Sequence, residues 1–407
     1  MSTNSFDERR QPTLGLRREQ LAVMGVVALL LAAVFIPQGF RYLRQTAPAP
    51  VAPEPPLKPS LAGEFRGLSI QMQSNDPHIP YEDYVREIAG TGANTICISV
   101  AALQENAASS SVFLEYRRTP PSERLEKIFK LAHELGLRVV LMPIVLLENP
   151  GTGEWRGKIT PKEPDAWWED YENYVLLYAQ LAEKCKLEVF MVGSELVLME
   201  PQTERWKKLI AKVRKVYSGL LSYSANWDHY EPVQFWRDLD LVGMTSYYDL
   251  VGDKKPSLEV LLETWKPIKE KILKWQKDVG RPIIFTEAGW PSQEGCAKEP
   301  WNYYGSTKPD PTTQDLCFQA FFKTWQGEKI VAGILIWEWR NGPWQKGGPD
   351  DLSYIPMGKP VMKTIREYFQ SPAATAGAAT RPASQPTTAT TKPTDKNGPV
   401  AKHAPRK

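Results

Sequence analysis

Between residues 62 and 370 the chain alternates short apolar runs with amphipathic stretches, and eight strand candidates can be read in order. They are Gly67–Met72, Asn94–Ser99, Arg138–Ile144, Glu188–Gly193, Leu220–Ala225, Leu239–Thr245, Pro282–Thr286 and Val331–Trp337. Most lack the two-residue alternation of a half-exposed strand, as expected of strands buried on both faces. Helices are predicted between them. In Glu123–Leu135, Leu125, Ile128, Phe129, Ala132 and Leu135 share one face, with Ser122 as N-cap and Gly136 as the stop. In Thr203–Tyr217, Trp206, Leu209, Ile210, Val213 and Tyr217 share one face, and Lys and Arg take the other. Eight strands with intervening helices predict an α/β chain folded as a (β/α)8 TIM barrel. An open doubly wound sheet is the competing arrangement, but no glycine-rich dinucleotide loop follows the first strand.

The flanks have a different composition. Residues 1–20 form a polar leader, and Leu21–Ile36 is uncharged and apolar throughout. With Phe40 and Tyr42 as an aromatic flank, residues 21–42 approach the ~20 residues that a spanning helix needs. Arg9, Arg10, Arg17 and Arg18 precede the run, which predicts a cytoplasmic N-terminus and a single-pass anchor holding the bulk of the chain outside the cell membrane. A cleaved signal is the alternative, although Ala47-Pro48-Ala49 followed by Pro50 is a poor cleavage context. Residues 43–61 are Pro-rich and expected to act as an extended spacer. Residues 371–407 are rich in Ala, Thr, Pro and Lys and are expected to be a disordered tail.

A net charge of +3 does not suggest a nucleic-acid partner. The basic excess lies in the tail, where Arg381, Lys392, Lys396, Lys402, Arg406 and Lys407 accompany only Asp395. The four cysteines form no C-x-x-C pair, and His78, His133, His229 and His403 are scattered, so neither a metal nor a cofactor is expected. Cys97 reads as a buried small hydrophobe. Cys296 and Cys317 flank a loop and are candidates for a disulfide outside the cytosol. The stretch GTGEWRGK (151–158) has the wrong spacing for a phosphate loop, and Ile159 stands where Ser or Thr is required.

In a barrel of this kind the active site forms at the C-terminal ends of the strands. Strand four ends at Glu195 (EVFMVGSEL) and strand seven at Glu287 (PIIFTEAGW). Two carboxylates at opposite sides of a barrel mouth suit hydrolysis of a glycosidic bond, one as nucleophile and one as proton donor. The donor must be kept neutral and the nucleophile ionised. The 14 Trp and 16 Tyr supply flat faces suited to stacking on sugar rings.

Residues 166–184, VFMVGSEL (189–196), 206–228, FWRDLDLVGMTSYYDL (235–250), RPIIFTEAGWPS (281–292) and GILIWEW (333–339) make the chain resemble retaining glycoside hydrolases of clan A. Within that clan it is most similar to the family-113 β-mannanase-like group. The resemblance implies that Glu195 is the general acid/base and Glu287 the nucleophile. It also implies that Tyr247, ending strand six, bonds the nucleophile, and that Trp337, ending strand eight, floors the subsite of the cleaved sugar. Asn226 and Trp227, ending strand five, are candidate sugar contacts, with Trp290 and Trp168 in the same role. Many clan members carry Asn directly before the acid/base to bind the sugar 2-hydroxyl; here the position is Ser194, which bears on substrate choice.

The expected partner is therefore a polysaccharide or oligosaccharide. TEAGWPS also resembles the nucleophile segment of family-17 β-1,3-glucanases. Three alternatives stay open: a β-1,3-glucanase, a transglycosylase using the same residues, and a non-catalytic carbohydrate-binding barrel.

Overall fold

The computed structural model describes residues 63–372. The predicted cytoplasmic leader, anchor and Pro-rich spacer, and all but the start of the predicted tail, lie outside the described residues. Among those described, no helix is long and apolar enough to cross a membrane.

Eight parallel strands close into a barrel in chain order. They are β1 (Phe65–Gln71), β2 (Thr95–Gln104), β3 (Arg138–Leu147), β4 (Val189–Ser194), β5 (Leu220–Ala225), β6 (Val242–Thr245), β7 (Ile283–Ala288) and β8 (Val331–Ile336). Closure comes from β1 pairing with β8, Phe65 opposite Gly333 through Leu68 opposite Ile336. The surrounding helices are α1 (Tyr81–Ala89), α2 (Ser122–Glu134), α3 (Pro164–Lys184), α4 (Thr203–Val216), α5 (Leu258–Val279), α6 (Pro311–Trp325) and α7 (Val361–Gln370).

The strands look continuously apolar because both of their faces are buried. Along β3, Val140, Met142 and Ile144 point into the barrel with Cys97, Val189, Met191 and Ile284, whereas Val139 and Leu141 join the layer under the helices. The thiol of Cys97 is buried there, and burial pushes it up to about 12. The helices bury the faces that their spacing predicts, with Leu125, Ile128, Phe129 and Ala132 on α2 and Trp206, Leu209, Ile210 and Val213 on α4.

Four details depart from the sequence reading. β2 and β3 run on to Gln104 and Leu147, paired in register throughout, and so project past the barrel mouth. Ser122 is the first residue of α2 rather than its cap; Pro121 precedes it in extended conformation and makes no side-chain cap. Gly136 does stop the helix, with φ 78°. Between β5 and β6 there is only a 3₁₀ turn, Trp236–Asp238, where Pro232 interrupts any helix and Tyr230, Phe235 and Trp236 cover the barrel as single buried rings. Finally, Cys296 and Cys317 are free thiols, both buried and hydrogen-bonded to each other rather than joined.

The ends of the domain are tied at the bottom of the barrel. Arg66 in β1 donates to the carbonyls of Tyr368 (2.9 Å) and Ser371 (2.6 Å), and its guanidinium lies 4.7 Å from the Tyr368 ring centroid. Glu64 accepts from Arg66 at 3.1 Å and from the Tyr368 hydroxyl at 2.8 Å. Both ionic side chains are buried. Removing one partner of a buried pair strands the other charge, at a cost of about 3–5 kcal/mol. Arg66→Met should therefore lower the denaturant midpoint markedly without changing activity per folded molecule. A midpoint equal to that of the parent would show that this tie does not hold α7 to β1.

Candidate active site

The carboxyl ends of the strands open into a cleft of about 1310 Å³. Glu195 and Glu287 both line it. Each is delivered by a break in its strand. A register shift between Met191 and Ser194 ends the regular pairing of β4 with β5. Glu195 then takes φ 52°, a left-handed conformation that costs a residue with a Cβ about 1–3 kcal/mol. The turn is held from outside. The Glu195 N–H donates to the Ser224 carbonyl (2.7 Å), and the Leu196 N–H donates to the Tyr223 hydroxyl (2.8 Å). That hydroxyl donates to Glu200 (2.8 Å), which also faces His229 Nδ1 at 2.7 Å. Burial pushes Glu200 up to about 6, while His229 and Tyr223 pull the other way.

Glu287 is fixed from β6. Its carbonyl accepts from the Ser246 N–H (2.9 Å) and the Ser246 hydroxyl (3.0 Å). The Tyr247 hydroxyl donates to Glu287 Oε2 at 2.7 Å. Oε1 is buried and has no hydrogen-bond partner among the described residues. Next to it, Gly289 allows the Trp337 carbonyl to approach, because a Cβ there would lie 2.2 Å from that oxygen.

The group that joins the two carboxylates is Arg156, on a 3₁₀ turn (Arg156–Lys158) between β3 and α3. Its Nη2 donates to Glu195 Oε2 at 2.9 Å, with 19% of the Arg side chain exposed. Burial opposes its charge, but the charges of Glu195 and Glu287 outweigh burial and raise its pKa. Burial first, and then the charge of Glu195, push Glu287 up to about 8; Arg156 and the Tyr247 hydrogen bond oppose them. Two carboxyls thus share the mouth with one guanidinium, and Glu287 is the one that burial and its neighbour's charge push towards the protonated form. Two carboxyls and a positive charge that acts on both form a set suited to general acid and nucleophilic chemistry on one bond.

A family model described as Glycoside Hydrolase Family 113 matches residues 80–359. The chain belongs to glycoside hydrolase family 113. It is thus a glycoside hydrolase. Among solved structures it is similar to a family 113 β-1,4-mannanase in complex form, with 27% identity, TM-score 0.69, and coverage of 76% of this chain and 100% of the other. It is also similar to a family 113 β-mannanase from Alicyclobacillus acidocaldarius in complex with ManMIm, with 26% identity, TM-score 0.67, and coverage of 76% and 97%. A β-glucuronidase from Dictyoglomus thermophilum shares the fold at 16% identity and TM-score 0.53, over 77% of this chain and 52% of that one. No curated protein sequence matches the chain.

Of the residues singled out in the sequence of this family 113 hydrolase, Glu195, Glu287, Tyr247, Trp337, Asn226 and Trp227 meet in the cleft. Trp337 is half-buried and caps the inner core of the barrel as a floor. Trp227 stacks on Trp301 at 5.8 Å and 16°, and Asn226 donates to Asp228 at 2.6 Å.

Three candidates do not reach the cleft. Trp290 is fully buried against Phe318 and Phe321. Trp168 is buried beside Trp167, Tyr171 and Trp206, and donates to Gln202 at 2.8 Å. Ser194 is 1% exposed and does not line the cleft, and its Oγ has no partner among the described residues. The sequence reading in turn missed Arg156, Trp155, Gln71, Glu338, Trp301 and Tyr303, all of which line the cleft. Most sit on long strand-to-helix loops, where no periodicity marks them. Glu338, one residue beyond the predicted end of β8, followed the same rule that picked out Glu195 and Glu287.

The raised proton affinity of Glu287 has a consequence for stability. Its pKa in the fold lies above the ordinary 4.5, so the folded chain holds this proton more tightly than the unfolded one. The associated stability is complete below pH 4.5 and is lost as pH rises towards 8. Glu287→Gln, which is permanently neutral, should gain on the parent in melting temperature across that window, with no further change below it. An advantage of equal size at both ends would contradict the assignment.

Proposed function

We propose that this hydrolase cleaves β-linked mannan with retention of configuration, with Glu287 as nucleophile and Glu195 as general acid and then base. The observation that carries this reading is the pair of carboxylates sharing one cleft, with Tyr247 bonded to Glu287 and Arg156 to Glu195. The two mannanase neighbours support the choice of sugar. The cleft exceeds the roughly 300–1,000 Å³ of a small-molecule pocket, as a site for several rings of a chain requires. Trp155 lies on one side, and Trp227 with Trp301 on another. Family membership removes the support for a non-catalytic barrel, and the two mannanase neighbours favour mannan over β-1,3-glucan. The arginines ahead of Leu21–Ile36 support catalysis on the outer side of a membrane.

In the first step the proton of Glu195 passes to the glycosidic oxygen as its bond to the anomeric carbon breaks. An oxygen of Glu287, with Oε1 the one left free by Tyr247, bonds to that carbon. In the second step Glu195 takes a proton from water, the water oxygen attacks the same carbon, and the ester to Glu287 breaks. The first step needs the proton on Glu195 and the charge on Glu287, and Arg156 bonds the one and feels the charge of the other.

The assignment is tested with Glu195→Ala on an activated aryl β-mannoside. Loss of the acid/base should cut turnover by about 10²–10⁴, and azide should restore it and yield the β-mannosyl azide. Recovery of the α-azide, or no rescue together with parental activity, would reverse or remove these roles.

A further inference from the structure

A third carboxylate stands at the end of β8. Glu338 follows Trp337 through a cis peptide bond, is 7% exposed, and lines the same cleft. Two amides hold it, and both address the same oxygen. Gln71 Nε2, from the end of β1, donates to Oε2 at 2.6 Å, and Asn341 Nδ2 donates to it at 3.0 Å. Asn341 Oδ1 in turn accepts from the Gln71 N–H at 2.9 Å, so the frame around the carboxylate is fixed. Neither amide bonds Oε1.

Among the described residues no basic side chain pairs with Glu338. Arg340 is engaged with Glu87, Arg156 with Glu195, and Lys359 with Asp351. Burial pushes Glu338 up to about 7, against the two amides. A buried carboxylate without a counter-ion is costly to a fold and is typical of a site that uses it. Its surroundings are acidic as well. Among the described residues the cleft is lined by Glu195, Asp228, Glu287, Glu338, Asp350 and Asp351, against Arg156 as the one basic side chain.

We infer that Glu338 is a specificity-determining residue: it accepts hydroxyl groups of the bound sugar and excludes rings that bear a carboxylate, so the cleft takes neutral hexosyl chains and rejects uronosyl chains. The inference rests on the reading of the cleft as a polysaccharide site and names the substrate class within it. A hydroxyl entering beside Glu338 meets an acceptor in a dry, preorganised frame. Above pH 7, where Glu338 is ionised, a sugar carboxylate meets a like charge, and Arg156, the basic side chain of the cleft among the described residues, is already engaged. Like-charge contact of this kind is where discrimination between partners arises.

Glu338→Gln separates this role from a structural one. The amide oxygen can still accept from Gln71 and Asn341, whereas the second oxygen becomes an NH2 group and the charge is lost. The full-length enzyme is assayed on β-1,4-manno-oligosaccharides and β-1,4-gluco-oligosaccharides, each before and after oxidation of the C6 hydroxyls to carboxylates. Binding of the same sugars to Glu287→Gln, with and without Glu338→Gln, is followed by calorimetry. The parent should lose about 100-fold or more in kcat/KM on oxidised chains. In Glu338→Gln, KM for neutral chains should rise about 10-fold with a smaller change in kcat, and the penalty for oxidation should shrink about 10-fold. A variant that keeps both the parental KM and the parental penalty overturns the inference. Failure of the mannan reading looks different: the gluco series is turned over in place of the manno series, with the penalty and its dependence on residue 338 intact.

Discussion

A closed parallel barrel leaves no strand face in contact with water. Inward side chains such as Val140 and Met191 fill the centre, outward ones such as Val139 and Phe285 pack under helices, and a charge on either face would be stranded. Polar chemistry is thereby confined to the places where strands stop. Glu195, Glu287 and Glu338 each lie within the last residues of a strand or one or two residues beyond it, and the three converge because closure brings β4, β7 and β8 around one mouth. The same closure keeps the site dry enough to raise Glu287 to about 8 and Glu338 to about 7.

Within that mouth the decisive balance is between charge repulsion and one guanidinium. Without Arg156 the cleft would concentrate carboxylates with no compensating charge. With it, one positive charge acts on both Glu195 and Glu287 and opposes the rise that burial and repulsion impose on Glu287. Arg156 is well placed for this because its loop is anchored elsewhere. Glu154 accepts from the Ala107 N–H (3.1 Å) and the Gly151 N–H (3.0 Å), and the Thr160 N–H donates to the Ala107 carbonyl (2.8 Å). The loop is thus braced on the segment after β2, and the projecting β2–β3 ribbon forms the wall from which the cation reaches in.

The parts legible in the sequence were those governed by burial. Apolar runs located all eight strands, and β5 matches its expected limits because Leu220–Ala225 is bounded by Gly219 and by the polar Asn226. Glu195 and Glu287 stood out because a carboxylate directly after an apolar run demands a reason. Aromatic residues were harder to read. Trp290 and Trp168 read like Trp227 in sequence, yet Trp290 packs under α6, Trp168 lies on the buried face of α3, and Trp227 lines the cleft. Ser194 is placed away from the role that the resemblance supplied: it is buried directly before the left-handed Glu195 and does not line the cleft. Arg156 had no sequence signal, because its partner is 39 residues away on another strand.

Several groups in the mouth are held in states that a stability-optimised barrel would avoid: the left-handed Glu195, the unpartnered Oε1 of Glu287, and Glu338 without a counter-ion. Each is braced by neighbouring groups. Tyr223 and Glu200 lock the turn at Leu196, Ser246 clamps the Glu287 backbone, and Gln71 with Asn341 frames Glu338. This division explains why the bracing residues come mainly from strand ends and the turns beside them. Only elements anchored in the barrel can hold a neighbour in an unfavourable state. The loops also carry aromatic and acidic side chains that line the cleft, among them Trp155, Trp301, Tyr303, Asp350 and Asp351.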